Sequence, residues 1–170
     1  MFSYNFQNDN DKKQKQIINK LLKKPENKLC ADCKNSPPSW ASINLGVFIC
    51  IKCSGIHRKL GAHISKIKSV NLDIWTSDIL EKFKKIDNKI SNDYWEYNLR
   101  QNEFNQIKND PNKIMEFIRN KYEYKKYINN NDIPPMDKII IQNNNIGNIN
   151  NNDFNWNYFI NIKDNSKIKK

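Results

Sequence analysis

Glycine is scarce in this chain, with four residues in 170. No Gly-rich run of the kind that cradles phosphate on backbone N–H groups is present. No Ser-His-Asp set and no paired-carboxylate site is apparent either. Long apolar runs are missing, and no stretch approaches the roughly 18 residues that cross a bilayer. The first ten residues, Met1 to Asn10, have neither the basic start nor the apolar core of a signal peptide. Cysteine is limited to four residues, and acid is short, with 18 Asp and Glu against 29 Lys and Arg, a net charge of +11. The expectation is a soluble intracellular protein in a reducing compartment.

The four cysteines are concentrated in two pairs, Cys30-Ala-Asp-Cys33 and Cys50-Ile-Lys-Cys53. Pairs of this spacing, separated by a segment that folds back as a hairpin, predict a tetrahedral Cys₄ zinc site. The competing disulfide reading fails on placement, because cysteines three positions apart clamp a metal well and staple a fold poorly. A closed set of four thiolates leaves no open position for water or substrate, so one structural Zn²⁺ is expected.

The positive charge is uneven. Residues 129–170 carry five Lys against four Asp, and the remaining +10 lies before them. From Cys50 to Val70 there are five basic residues (Lys52, Arg58, Lys59, Lys66, Lys68) and no acid. That patch suits nucleic acid, anionic lipid or a phosphate-bearing partner. Solvation is the plain alternative for the lysines scattered along helices.

Periodicity predicts a helix over Asp11–Lys24 with Ile17, Leu21 and Leu22 inward and Pro25 ending it. Trp40–Ile43 and Val47–Cys50 read as strands around an Asn44-Leu45-Gly46 turn, Ser54–Leu60 as a short helix stopped by Gly61, and Ile67–Leu72 as a third strand. Three helices are expected to follow. One is capped by Thr76, the second spans Ser91–Gln101, and the third starts at Asp110-Pro111 with Ile114, Phe117, Ile118 and Tyr122 buried. The asparagine tracts at 129–131, 143–145 and 150–152, with Pro134-Pro135, mark a boundary. The expected organisation is a domain over 10–128 and an Asn-rich, weakly ordered tail over 129–170, in which Phe154, Trp156, Tyr158 and Phe159 could dock.

With this framework read, the chain resembles the Arf GTPase-activating (ArfGAP) zinc-finger domain over about residues 12–128. The carrying residues are Cys30-x-x-Cys33, Pro38-Ser-Trp40-Ala-Ser42, Leu45-Gly-Val-Phe-Ile-Cys50, Cys53-Ser-Gly-Ile-His-Arg58-Lys-Leu-Gly61, His63-Ile-Ser65 and Leu72-Asp73-Ile-Trp75, with later blocks at Asn92–Glu96 and Phe117–Tyr122. The family usually has Gly-Asn where this chain has Asp87-Asn88, and a left-handed conformation at Asp87 is the expected reason for the glycine. The resemblance implies an α+β fold, a small three-stranded sheet with a Cys₄ zinc site surrounded by about five to six helices.

The resemblance also implies a function, activation of a GTP-bound Arf-family GTPase by an arginine finger, Arg58, supplied in trans. The chain then regulates a partner's hydrolysis, and with it vesicle coats and membrane traffic, without holding a complete active site of its own. It implies that Trp40 supports the arginine and the GTPase-facing surface, although a strand tryptophan in general is more often core. Asp73 either orients Arg58 or pins the end of the third strand. Lys52, Lys59, Lys66 and Lys68 meet an acidic GTPase face or anionic head groups, or are simply solvated. His57 and His63 are hydrogen-bonding supports, since the cysteines already complete the metal site. The expected location is cytoplasmic, peripheral at Golgi or other secretory-pathway membranes. Two further readings stay open, a Cys₄ DNA-binding finger and a catalytically silent Arf-binding adaptor. The first is disfavoured because 54–61 is short and apolar for a base-reading helix, the second because Arg58 and Trp40 are retained.

Overall fold

Strand Val47–Ile49 (β2) explains most of the architecture, because its three residues are fully buried on both faces of the sheet. It pairs antiparallel with Trp40–Ser42 (β1), which pairs antiparallel with Ile67–Ser69 (β3), so the order is β2-β1-β3. Successive strand side chains point to opposite faces. Val47 and Ile49 therefore enter one core cluster, with the four cysteines, Trp95, Phe117 and Ile118, while Phe48 enters another with Ala41, Trp75, Phe83 and Ile86. The computed structural model describes the backbone of residues 3–143 and the side chains of residues 11–142. The aromatic residues at 154–159 lie outside the described residues.

Seven α-helices surround the sheet among the described residues. The first, Ser3–Leu22 (α1), starts before the expected Asp11, ends before Pro25 and buries Ile18 and Leu21. A 3-10 turn follows at Pro25–Asn27. Ile51–Leu60 (α2) begins three residues earlier than the expected Ser54, so Cys53 sits inside the helix, and Gly61 closes it at φ 92°. The hairpin between β1 and β2 turns at Gly46, where φ is 73° and an added Cβ would lie 2.6 Å from Ile86 Cδ1. Strand β3 ends at Ser69, short of Leu72, because the chain turns over residues 70–72, and the Asp73 carboxylate folds back across that turn to accept the Ser69 N–H at 2.6 Å.

The helices after Trp75 differ in register from the expectation. Ser77–Lys84 (α3) follows Thr76, whose hydroxyl makes no capping bond. Asn88–Trp95 (α4) begins before the expected Ser91 and stops before Gln101. Its start overturns the left-handed reading of Asp87. That residue is extended, at φ −149°, and its carboxylate caps the helix by accepting the Ile90 N–H at 2.9 Å. A separate helix, Gln101–Ile107 (α5), follows and buries Phe104. Pro111–Tyr122 (α6) has its predicted cap, with Asp110 accepting from the Asn112 and Lys113 N–H groups, and its predicted buried face.

The asparagine tract after residue 128 does not end the compact unit, which runs to Ile139; a second unit begins at Ile140. Pro135–Asn143 (α7) supplies Met136 and Ile139 to the Phe48 cluster.

Asn88 is the polar joint of the fold. Its side-chain carbonyl accepts the Phe48 N–H at 2.7 Å, and its amide donates to the Phe48 carbonyl at 3.0 Å and the Leu29 carbonyl at 2.9 Å. Its own N–H donates to Asn27 Oδ1 at 2.8 Å. Asn88→Ala strands the Phe48 N–H in the core, and stability should fall by about 2–3 kcal/mol. Urea unfolding of both proteins measures this, and a loss below about 1 kcal/mol would contradict the assigned role.

Candidate functional site

The cysteine knuckles come together because the loop before β1 carries the first pair and the entrance to α2 the second. All four Sγ atoms lie within 4.8 Å of one another and all four residues are buried. Cys33 and Cys50 sulfurs are 3.8 Å apart. Thiolates at about 2.3 Å from a tetrahedral zinc stand about 3.8 Å apart, so this donor set fits that ion. No disulfide joins them. Hydrogen bonding among the crowded sulfurs drives Cys30 and Cys53 above the ordinary thiol range and draws Cys33 and Cys50 below it. A divalent cation relieves that conflict, because it allows all four to be thiolates. The Asp32 N–H also donates to Cys30 Sγ at 3.5 Å.

Helix α2 leaves this knuckle with Cys53, Ser54, His57 and Leu60 on its buried face. That spacing turns Arg58 and Lys59 outward. The Arg58 guanidinium carbon lies 4.3 Å from the centroid of the Trp40 ring, across from it on β1. Trp40 itself is half-buried and packs against the metal-side core. Among the described residues Arg58 makes no ion pair, and the Asp73 carboxylate is engaged by Ser69. Of the two roles weighed for Asp73, this contact is the strand-pinning one.

Arg58, Lys66, Lys68 and Asp73 line one open depression of about 430 Å³. Lys52 and Lys59 are exposed but do not line it. Seven residues apart, they share a stripe of α2 turned about 100° from Arg58. His63 is exposed, its ring set against Gly61, whereas His57 is fully buried.

Behind the arginine runs a buried polar network that sequence reasoning missed. Asp32, between the first two cysteines, has its Oδ2 at 2.9 Å from His57 Nε2, while its Oδ1 accepts from Lys121 Nζ at 3.0 Å and from the Tyr122 hydroxyl at 2.8 Å. Lys121, fully buried, also donates to Glu96 at 2.7 Å and Asn92 at 2.8 Å. Lys34 donates to Glu96 from the other side at 3.2 Å, with a further bond to the Ala31 carbonyl. Burial pushes the Asp32 carboxyl up, but the Lys121 ammonium and the His57 hydrogen bond more than offset it and hold the group well below the usual carboxylate range. Burial works against the Lys121 charge too, and the Glu96 and Asp32 carboxylates leave it raised.

Lys121→Met leaves Asp32 and Glu96 without their cation, so it should cost about 3–5 kcal/mol. Guanidinium unfolding of wild type and variant tests this; an unchanged midpoint would remove the network from the account of stability.

The comparisons with known proteins bear on this geometry. Residues 15–131 match the ArfGap family, described as "Putative GTPase activating protein for Arf". The chain is 45% identical over 123 residues to "Probable ADP-ribosylation factor GTPase-activating protein AGD15" of Arabidopsis thaliana, covering 72% of this chain and 50% of that protein. It is 51% identical over 117 residues to "ADP-ribosylation factor GTPase-activating protein effector protein 2" of Saccharomyces cerevisiae, covering 67% of this chain and 39% of that one. The aligned region thus spans half or less of these curated relatives. Among solved structures, the "ArfGap domain of HIV-1 Rev binding protein" superposes with a TM-score of 0.64 at 25% identity, covering 78% of this chain and 97% of that one. On the matched residues, the overall fold and the four-cysteine framework, the chain belongs to the ArfGap family.

Proposed function

We propose that this chain activates GTP hydrolysis by an Arf-family GTPase, contributing Arg58 in trans. The observation that carries the reading is the state of Arg58: exposed, held on the Trp40 ring, and unpaired with any carboxylate among the described residues. Small GTPases are slow because charge builds on phosphate oxygens with too few positive partners, and an arginine supplied by an activator is worth roughly 10³–10⁵ in rate. A planar, permanently charged guanidinium suits that task. Stacking on Trp40 limits the rotamers it must give up on entering a partner's site. Lys66 and Lys68, on the same depression, offer further positive charge to the GTP-bound partner, and Lys52 and Lys59 extend the basic surface toward anionic lipid.

One Zn²⁺ held by Cys30, Cys33, Cys50 and Cys53 serves structurally, fixing the knuckle from which α2 and Arg58 project. The chain therefore acts on another protein's active site, in the cytoplasm and peripherally at Golgi or other secretory-pathway membranes, where it regulates vesicle coats. Single-turnover GTP hydrolysis by purified Arf proteins, with and without the zinc-loaded chain, tests the reading. Acceleration by two or more orders of magnitude is expected, in line with arginine-finger effects. Hydrolysis at the intrinsic rate across the Arf proteins would overturn it.

A further inference from the structure

Arg58 and Trp40 stand on different elements, and a single hydrogen-bonded chain ties those elements together beneath them. Ser42 lies two residues beyond Trp40 on β1. Its hydroxyl accepts from Ser65 Oγ at 2.8 Å. Ser65 Oγ is 2.8 Å from His57 Nδ1, and His57 is the residue before Arg58 on α2. The other ring nitrogen, Nε2, is 2.9 Å from Asp32 Oδ2, inside the first cysteine knuckle. Ser42, Asp32 and His57 are fully inaccessible and Ser65 nearly so, at 3% exposure. The four groups are joined directly, with Ser65 at the edge of the open depression that Arg58 lines.

The composition of this chain of groups argues against mere filling of space. Buried polar groups are costly unless every one is satisfied. An apolar residue at 65 would fill the same volume without that demand. What the hydroxyl supplies is direction, because it must sit within hydrogen-bond range of both the strand and the helix. The strand and the helix are the two bearers of the cation–π pair.

We propose that the Ser42–Ser65–His57–Asp32 chain is a positioning relay that sets Arg58 over Trp40, with Ser65 as its central link. These residues act through Arg58. The functional half of this inference rests on the reading of Arg58 as the residue supplied in trans, whereas the geometric half does not.

The test uses the zinc-loaded full chain and the variant Ser65→Ala, with Ser65→Thr restoring the hydroxyl. The chain has three arginines, Arg58, Arg100 and Arg119, so the side-chain Nε–Hε signals are readily separated by NMR. In wild type the ¹H–¹⁵N NOE of Arg58 Nε should be that of an ordered side chain. In Ser65→Ala it should drop to the level of a freely rotating arginine, with Arg100 and Arg119 unchanged. Stimulated hydrolysis should lose roughly ten- to a hundredfold in kcat, as expected for misplacement of a reacting group, with KM for the GTPase held. Ser65→Thr should recover both. Ile86→Val, in the separate Phe48 cluster, serves as the stability control and should lower the melting temperature without moving the Arg58 NOE.

An unchanged Arg58 NOE in Ser65→Ala overturns the relay, whatever the melting temperature does. So does a lowered NOE with undiminished kcat. A lowered NOE in a protein whose wild type stimulates no GTPase supports the geometric relay and sinks the proposed function instead.

Discussion

Arg58→Lys should abolish most of the stimulated GTP hydrolysis, by two orders of magnitude or more, while leaving the fold untouched. The substitution keeps a positive charge but removes the planar fork that spans two phosphate oxygens. It also weakens the cation–π contact with Trp40, at 4.3 Å in the native chain. Arg58 is exposed and carries no ion pair among the described residues, so its stability contribution should stay within about 0.5 kcal/mol, as for surface substitutions generally. Single-turnover hydrolysis and thermal melts of both proteins decide the matter. A DNA-binding module has no stimulation to lose, and a silent adaptor binds Arf equally well before and after. Undiminished stimulation by Arg58→Lys would remove the finger assignment, and a parallel fall of activity and melting temperature would recast Arg58 as structural.

Cys33→Ala should have the largest effect on stability. In small zinc modules the metal contributes ~10–16 kcal/mol to folding, as much as the whole stability of an ordinary domain. Here the cysteines belong to the same core cluster as Val47, Ile49 and Trp95. Loss of one thiolate should therefore unfold the region around residues 30–75 and leave no activity. Circular dichroism with elemental analysis checks this. A zinc-free preparation that keeps its native spectrum and cooperative melt would show that the cluster does not carry the fold.

How much of this was legible in the sequence depends on the range of the interactions. The cysteine knuckles and the Asp110-Pro111 helix start are local signals, written within a few residues, and they appear where the spacing places them. Helix α5 was missed because only Phe104 is buried along it, too little for an apolar period to emerge. Asp87 was misread for a related reason. A left-handed residue and an N-cap favour overlapping residue types, and only the Ile90 N–H distinguishes them. The Arg58–Trp40 contact came from the family resemblance, since nothing in a separation of eighteen positions predicts it.

The buried network was the least legible part. Lys121 and Asp32 are residues that a sequence assigns to solvent, and their pairing spans 89 positions. The signal that was present is indirect: Lys121 falls on the same helical face as Ile114, Phe117 and Ile118. A charged residue on an apolar stripe asks for a buried counterion, and Asp32 inside the cysteine knuckle was available to answer.

The side chains of Asn88, Asp73 and Trp75 have a consequence for self-association. A sheet of three short strands has two margins, each a template onto which a foreign strand can add. At the β2 margin, Asn88 takes both the N–H and the carbonyl of Phe48. At the β3 margin, the Asp73 carboxylate takes the Ser69 N–H, and the Trp75 indole donates to the Ser69 carbonyl at 2.9 Å. Amide, carboxylate and indole thus stand where the next strand would lie, and the middle residue or last residue of each outer strand is already spoken for. The β2 edge is closed to growth at its middle residue and the β3 edge at its last, so the buried, β-prone Val47-Phe48-Ile49 strand is not offered to another copy of the chain.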